Sequence, residues 1–171
     1  TSVAVSGSTA GGAASGNLIF TGKVMAAVAE NATVSGDAGI IVKAESSEDI
    51  DAAAVGAGVA GSTGIQGSFV VVVMNVTTQA VTGENATLTT ENTLSITAED
   101  TVRVLGITGG AAAGGSAAVG AAVDVFVFKN TVTAHIGTNN HVVAGELNIL
   151  AESDRRIGTY VMMVSAGGTA A

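Results

Sequence analysis

Apolar and polar residues alternate with a period of two along several segments of the chain. In the segment 40–44 every second residue is Ile, Val or Ala, and the same alternation recurs at 94–98 and 147–151. A period of two is that of a β-strand with one buried face, whereas a helix needs a period of 3.6. These segments are therefore predicted to be strands. Two further segments, 69–74 and 123–128, are apolar on both faces or nearly so, which predicts strands covered on two sides.

The predicted strands belong to an internal repeat. The segment 40–46 recurs as 94–100 and as 147–153, at offsets of 54 and then 53 residues. A Gly/Ala-rich tract follows each copy, and asparagines recur between the copies at the same spacing. Such a period indicates a stacked array of one supersecondary unit. The chain is predicted to be a single solenoid fragment with repeats at approximately 1–50, 51–103 and 104–156 and a partial repeat at 157–171.

The composition narrows the fold. Ala, Val, Gly and Thr supply 31, 25, 24 and 20 of the 171 residues, whereas Phe supplies four and Tyr one. Such small side chains cannot fill a wide core, but they stack well where equivalent positions of successive rungs lie about 4.8 Å apart. The sequence therefore predicts an all-β protein, a right-handed parallel β-helix, with an antiparallel β-sandwich as the alternative. A repeat of 54 residues would form three rungs of about 18 residues or two of about 27.

Charge and cysteine content exclude several functions. The net charge of −8 opposes binding to nucleic acid. The absence of cysteine excludes disulfides and thiolate chemistry, and it agrees with export of an unfolded chain. Two uncharged stretches, 52–83 and 104–123, are predicted to be buried segments of a soluble fold rather than transmembrane spans.

Acidic residues cluster after each copy of the alternating segment and supply the metal-site candidates. Stacked on an edge of the solenoid, their carboxylates would offer the oxygen ligands that Ca²⁺ prefers. The Gly-Gly-x-Gly-x-Asp signature of calcium-binding β-rolls is missing, so the acidic clusters are interpreted as solvated turns and no cofactor is predicted. The calcium candidates are Glu45, Asp49, Glu99, Asp100, Glu152 and Asp154.

No arrangement of residues points to catalysis. The segment 56–61 fits the G-x-G-x-x-G pattern, but the residues that follow it cannot form the helix that a dinucleotide site requires. The six Lys and Arg residues are dispersed, and no spacing of nucleophile, His and carboxylate stands out. The chain is therefore predicted to be non-enzymatic.

One block of the third repeat carries a family resemblance. It consists of 134–137, 143–149 and 151–153, preceded by 123–127 and 130–131. This block resembles the repeats of filamentous-haemagglutinin-like adhesins and of the related large leukotoxins of two-partner secretion systems. The resemblance implies a β-helical shaft that is secreted by a bacterium or displayed on its surface, and a role in virulence.

Two functions follow from the repeat and the resemblance. The first is a structural and interaction segment of an adhesin, which acts as a rigid shaft and contacts a host-cell or neighbouring-cell surface. The alternative is a segment of a secreted toxin that contacts host cells. Because a truncated solenoid exposes its end rungs, end-to-end self-association is also expected.

Overall fold

A computed structural model describes residues 1–168, which form eleven strands in three parallel sheets and contain no helix. The first sheet contains, in this order, β1 (Ser2–Ser6), β4 (Ile40–Ala60), β7 (Thr93–Gly114) and β11 (Glu146–Gly167). The second contains β2 (Thr9–Val28), β5 (Thr63–Thr82) and β8 (Ala117–Phe128), with β9 (Thr131–His135) also paired to β5. The third contains β3 (Thr33–Ser35), β6 (Thr87–Thr89) and β10 (His141–Val143), with β6 in the middle.

All the strand pairs in the three sheets are parallel. This confirms the all-β parallel β-helix and excludes the antiparallel sandwich, because the stacked strands come from successive repeats and not from hairpins. The right-handed sense of the β-helix stays a prediction.

One full turn of the β-helix, here called a coil, takes a whole repeat. Ile40 lies beside Leu94 and Thr9 beside Thr63, and both pairs are 54 residues apart. The predictions of three rungs of about 18 residues or two of about 27 are therefore wrong. Each full coil contains two long strands, such as β4 with 21 residues and β5 with 20, and one short strand of three residues, such as β6. Both predictions assumed short strands. The Gly/Ala tracts instead continue the long strands, so that each repeat has fewer turns than expected.

The third repeat is one residue shorter, and the missing residue falls in a loop. Thr89 pairs with Val143 at a spacing of 54, whereas Thr93 pairs with Glu146 at a spacing of 53. The strands on either side of this loop are separated by residues 90–92 in one coil and by 144–145 in the next. The sheets therefore keep their register, but the inward-pointing positions change from even numbers in β7 to odd numbers in β11.

Inward-pointing side chains form two apolar clusters inside the coil. One lies next to the third sheet around Leu88, Leu94 and Ile96, and the other lies between the long sheets around Val72 and Val104. The outward side of the second sheet is exposed to solvent. Phe69 is 43% exposed and Val123 is 53% exposed, so the prediction that 69–74 and 123–128 are covered on two sides is wrong.

The uncharged stretches lie in the strands of the long sheets. Within residues 1–168 no helix is long and apolar enough to cross a membrane. Near the turn that joins β4 to β5, the two long sheets approach each other closely. A Cβ added to Gly64 would overlap the backbone oxygen of Ala113 in the opposite sheet, so this position admits only glycine.

The turn between the second and third sheets repeats the same backbone conformation in every coil. Asn31, Asn85 and Asn139 have φ values of 58°, 53° and 57°. Asparagine is one of the few residues other than glycine that adopts this left-handed conformation routinely. The turns of successive coils are also hydrogen-bonded to one another, since the backbone N–H of Asn85 donates to the carbonyl oxygen of Thr138 at 3.0 Å. This conformation explains why asparagine recurs at the 54-residue spacing.

The left-handed turn predicts opposite effects of two substitutions at one position. Asn85→Ala should lower the free energy of unfolding by about 1 kcal/mol, because alanine keeps the Cβ that is crowded at positive φ but lacks the short polar side chain whose local hydrogen bonds let asparagine adopt this conformation. Asn85→Gly should leave stability nearly unchanged, because glycine adopts positive φ freely. Urea unfolding followed by circular dichroism measures both. Equal losses in the two variants would contradict the assigned turn.

The close approach of the long sheets predicts a second contrast, between two glycines on β5. Gly64→Ala should destabilise the protein by about 1–3 kcal/mol, because its methyl group has no space between the sheets. A Cβ at Gly67 meets no atom within 4 Å. Gly67→Ala should therefore leave stability unchanged or raise it by about 0.5 kcal/mol. Thermal unfolding of both variants tests this, and a loss at Gly67 as large as that at Gly64 would be inconsistent with the thin coil.

Candidate functional site

The predicted calcium residues lie in the middle of long strands of the first sheet. The prediction that they occupy turns at an edge of the solenoid is wrong, because each of these strands continues through the acidic cluster into the Gly/Ala tract. Their side chains occupy both sides of the sheet. Glu45 and Asp49 are on β4, Glu99 and Asp100 are on β7, and Glu152 and Asp154 are on β11.

On the outward side, glutamates of successive coils stack on one another. Glu45 lies beside Glu99, and Glu99 lies beside Glu152. Lys43 bridges the first two, with its Nζ 3.1 Å from Glu45 Oε2 and 2.9 Å from Glu99 Oε2. The hydrogen bond to Glu99, followed by that to Glu45, raises the pKa of Lys43. The lysine therefore reduces the repulsion that stacking of like charges would otherwise produce.

Two aspartates on the same outward side are paired with arginines. Arg103 contacts Asp49 through two nitrogens, with Nη2 2.8 Å from Oδ2 and Nε 3.1 Å from Oδ1. These bonds raise the pKa of Arg103. Arg156 Nη2 lies 3.1 Å from Asp154 Oδ2. Glu45, Glu99, Asp49 and Asp154 thus form a band of ion pairs with lysine and arginine, here called the charged band.

Four of the six candidates line one cavity. Glu99, Asp100, Glu152 and Asp154 surround a volume of about 270 Å³ together with Thr101. Glu45 and Asp49 are not among the lining residues. In the part of the chain that the structure describes, no group of three or more His, Asp or Glu side chains could hold a metal ion.

Asp100 differs from the other candidates because it points into the coil, where it is 1% exposed. Its Oδ1 accepts a hydrogen bond from Ser46 at 2.7 Å, and its Oδ2 accepts one from Asn130 at 2.9 Å and one from Ser153 at 3.3 Å. Ser46 is also 2.7 Å from the hydroxyl of Thr78. The carboxylate is thus held by two donors from the first sheet and by one from the segment between β8 and β9, in a polar layer between the two apolar clusters.

Glu48 lies near this polar layer and was not a candidate of the sequence analysis. Burial, followed by the negative charge of nearby Asp100, raises the pKa of Glu48. Its Oε2 atom is buried without a hydrogen-bond partner among the described residues. The alternation along the strands could have predicted that Glu48 and Asp100 point into the coil. Both have even numbers, as do inward residues such as Ile40 and Leu94.

A second surface of interest is an apolar groove on the outward side of the first sheet. It has a volume of about 420 Å³. Val55, Ile107, Met162 and Val164 line it, with Gly109 among the small residues between them. The prediction that 52–83 and 104–123 are buried is wrong for these outward residues, since Val55 is 43% exposed and Ile107 is 39% exposed.

No protein-family model matches the chain, and no curated protein and no solved structure matches it either. Function is therefore inferred from the stacking of the coils, with the charged band and the apolar groove as the outer surfaces.

The raised pKa of Glu48 predicts a pH-dependent effect of Glu48→Gln. A carboxyl with a raised pKa in the folded state favours folding when protonated, and this contribution is lost as the pH rises through the raised value. Glu48→Gln should therefore raise the free energy of unfolding at neutral pH and change it little below the ordinary pKa of glutamate. Urea unfolding at a series of pH values measures the difference.

Glu45→Gln is the matched control for this prediction. Glu45 lies on the same strand but faces outward and is paired with Lys43. Its substitution should give no gain in stability at neutral pH. A gain in Glu45→Gln equal to that in Glu48→Gln would show that general charge reduction, and not the inward position, is responsible.

Proposed function

We propose that the chain is a non-enzymatic structural and interaction segment of a secreted or cell-surface, adhesin-like β-helical exoprotein of a bacterium. The observation that carries this proposal is the constant register of the coils. The strands of all three sheets pair with the next repeat at 54 residues, apart from the single loop deletion. Coils of this kind can follow one another without a change of cross-section, which is what a long shaft requires.

The pairing of the middle coil supports a rigid shaft. β7 is bonded to β4 on one side and to β11 on the other over more than 20 residues, and β5 is bonded to strands on both of its sides. Bending such a coil would break many backbone hydrogen bonds at once. The absence of proline agrees with this function, because each proline would remove a ladder hydrogen bond.

A contact role for the shaft is supported by its repeated outer surfaces. The charged band and the apolar groove both use residues from three successive strands of the first sheet. Stacked coils repeat such surfaces at short intervals, which favours weak multivalent contact with a host-cell or neighbouring-cell surface. The resemblance to exported adhesin repeats supports an extracellular location.

A segment of a secreted toxin that contacts host cells is the second candidate. The observation that favours it is the exposure of large apolar residues beside the groove, since Met162 is 75% exposed and Tyr160 is 66% exposed. Apolar surface of this kind marks a contact with another protein or with a membrane.

Dye-loaded vesicles and whole cells separate the two candidates. We expect the purified chain, labelled at a cysteine introduced by Ser47→Cys on the outward side of β4, to bind cells weakly and saturably. We expect it to release no dye from vesicles at sub-micromolar concentration. Dye release in that range would reject the inert shaft in favour of the toxin, and the unlabelled wild-type chain controls for the label.

A further inference from the structure

The coil has one uncharged edge. The stacked residues 2–15, 52–69, 106–123 and 159–168 contain no charged side chain, and all 14 acidic and 6 basic residues of the chain lie elsewhere. These four ranges meet around the turn that joins the first sheet to the second. The charge of the molecule is thus confined to the opposite side of its cross-section.

The outward side of the first sheet is apolar within this edge. We call it the apolar face and define it as Val3 and Val5 with the outward-pointing residues of 53–59, 107–113 and 160–166. Every residue of this set is Ala, Val, Ile, Met, Gly or Tyr. Exposed apolar surface that is continuous over several strands is uncommon in proteins that remain monomeric.

The apolar face combines a recess and projecting side chains. Gly109 leaves a gap between Val55 and Met162, which lie beside it on the neighbouring strands. A Cβ at Gly109 would lie 2.5 Å from the Met162 backbone oxygen, so the gap persists only with glycine at this position. Met162 and Tyr160 project from the same face. A surface that presents both a recess and the side chains to fill one is suited to contact with an identical surface.

The area of the apolar face matches a weak homodimer. Seven residues at about 3.3 Å on each of three strands about 4.8 Å apart, with three more residues on β1, give roughly 400 Å². Two such faces would bury roughly 800 Å², which lies in the range of weak and transient protein interfaces.

We propose that the apolar face is the interface of a homodimer in which the first sheets of two copies pack face to face about a twofold axis. Sheets that pack in this way lie about 10 Å apart, close enough for Met162 of one copy to enter the recess at Gly109 of the other. The charged bands of both copies remain in solvent. The proposal goes beyond the shaft function, because it joins two shafts side by side rather than end to end.

Sedimentation velocity of the full chain over a range of concentrations tests the proposal. The wild-type chain should show a reversible monomer–dimer equilibrium. Ile107→Lys should raise its dissociation constant at least about tenfold, since the dimer would bury an unpaired ammonium group. Ser47→Lys adds the same charge to the outward side of the same sheet within the charged band, and it should leave the dissociation constant unchanged. Met162→Lys, at a more exposed position of the apolar face, should repeat the effect of Ile107→Lys.

Three results would overturn the proposal. One is a wild-type chain that stays monomeric throughout. Another is association that Ile107→Lys and Met162→Lys leave intact, which would point to end-to-end contact, since neither side chain faces along the stack. The third is a monomer that floats with zwitterionic phosphatidylcholine vesicles and loses this binding in Ile107→Lys, which would assign the face to lipid. Circular dichroism of each variant confirms that the sheets are retained.

Discussion

Every other feature of this structure follows from the parallel hydrogen-bonded ladder, in which a residue lies beside the one 54 positions later, or 53 positions later between β7 and β11. A parallel ladder of similar repeats places residues of the same type beside each other, because a residue and its partner in the next repeat point to the same side of the sheet. Apolar residues gain from this, as where Ala44 lies beside Ala98. Carboxylates do not gain, since Glu45 lies beside Glu99 and repulsion results. Lys43 offsets that repulsion from an adjacent position, so the charged band follows from the ladder itself.

The same constraint governs the interior. A buried carboxylate is stable only when donors surround it, and Asp100 lies between serines of the coils on either side that both donate to it. Glu48 has no such neighbours, which is why burial acts on it as a cost and raises its pKa. Arg155 takes the equivalent inward position in the third coil, where its guanidinium carbon lies 5.5 Å from the ring centroid of Phe128. Both carboxylate oxygens of Asp100 are therefore hydrogen-bonded. The Oε2 atom at the next inward position, which Glu48 occupies, is not.

Across the coil, charge and side-chain size divide the molecule into two halves. One half is wide, holds the two apolar clusters and carries the ion pairs, whereas the other is thin, uncharged and apolar on its outward side. The thin half leaves little space between its sheets, and the buried side chain of Gln66 fits there because Gly12, Gly56 and Gly110 surround it. Its larger apolar residues, among them Val55 and Ile107, therefore face outward, where they are available to a partner. A shaft built in this way has one side suited to water and another suited to contact.

The repeat, the strands and the side of the sheet that each residue occupies can be read from the sequence. The spacing of Asn31, Asn85 and Asn139 also indicates a feature that recurs in each repeat. Three features emerge only in the folded chain: the strands are long, one repeat makes one coil, and the acids lie within strands. The physical reason is that a Gly/Ala-rich segment has weak local preference and is held extended by hydrogen bonds to residues 54 positions away. Local patterns report the side a residue faces, but whether that side is covered depends on the other sheets, which a period in the sequence does not specify.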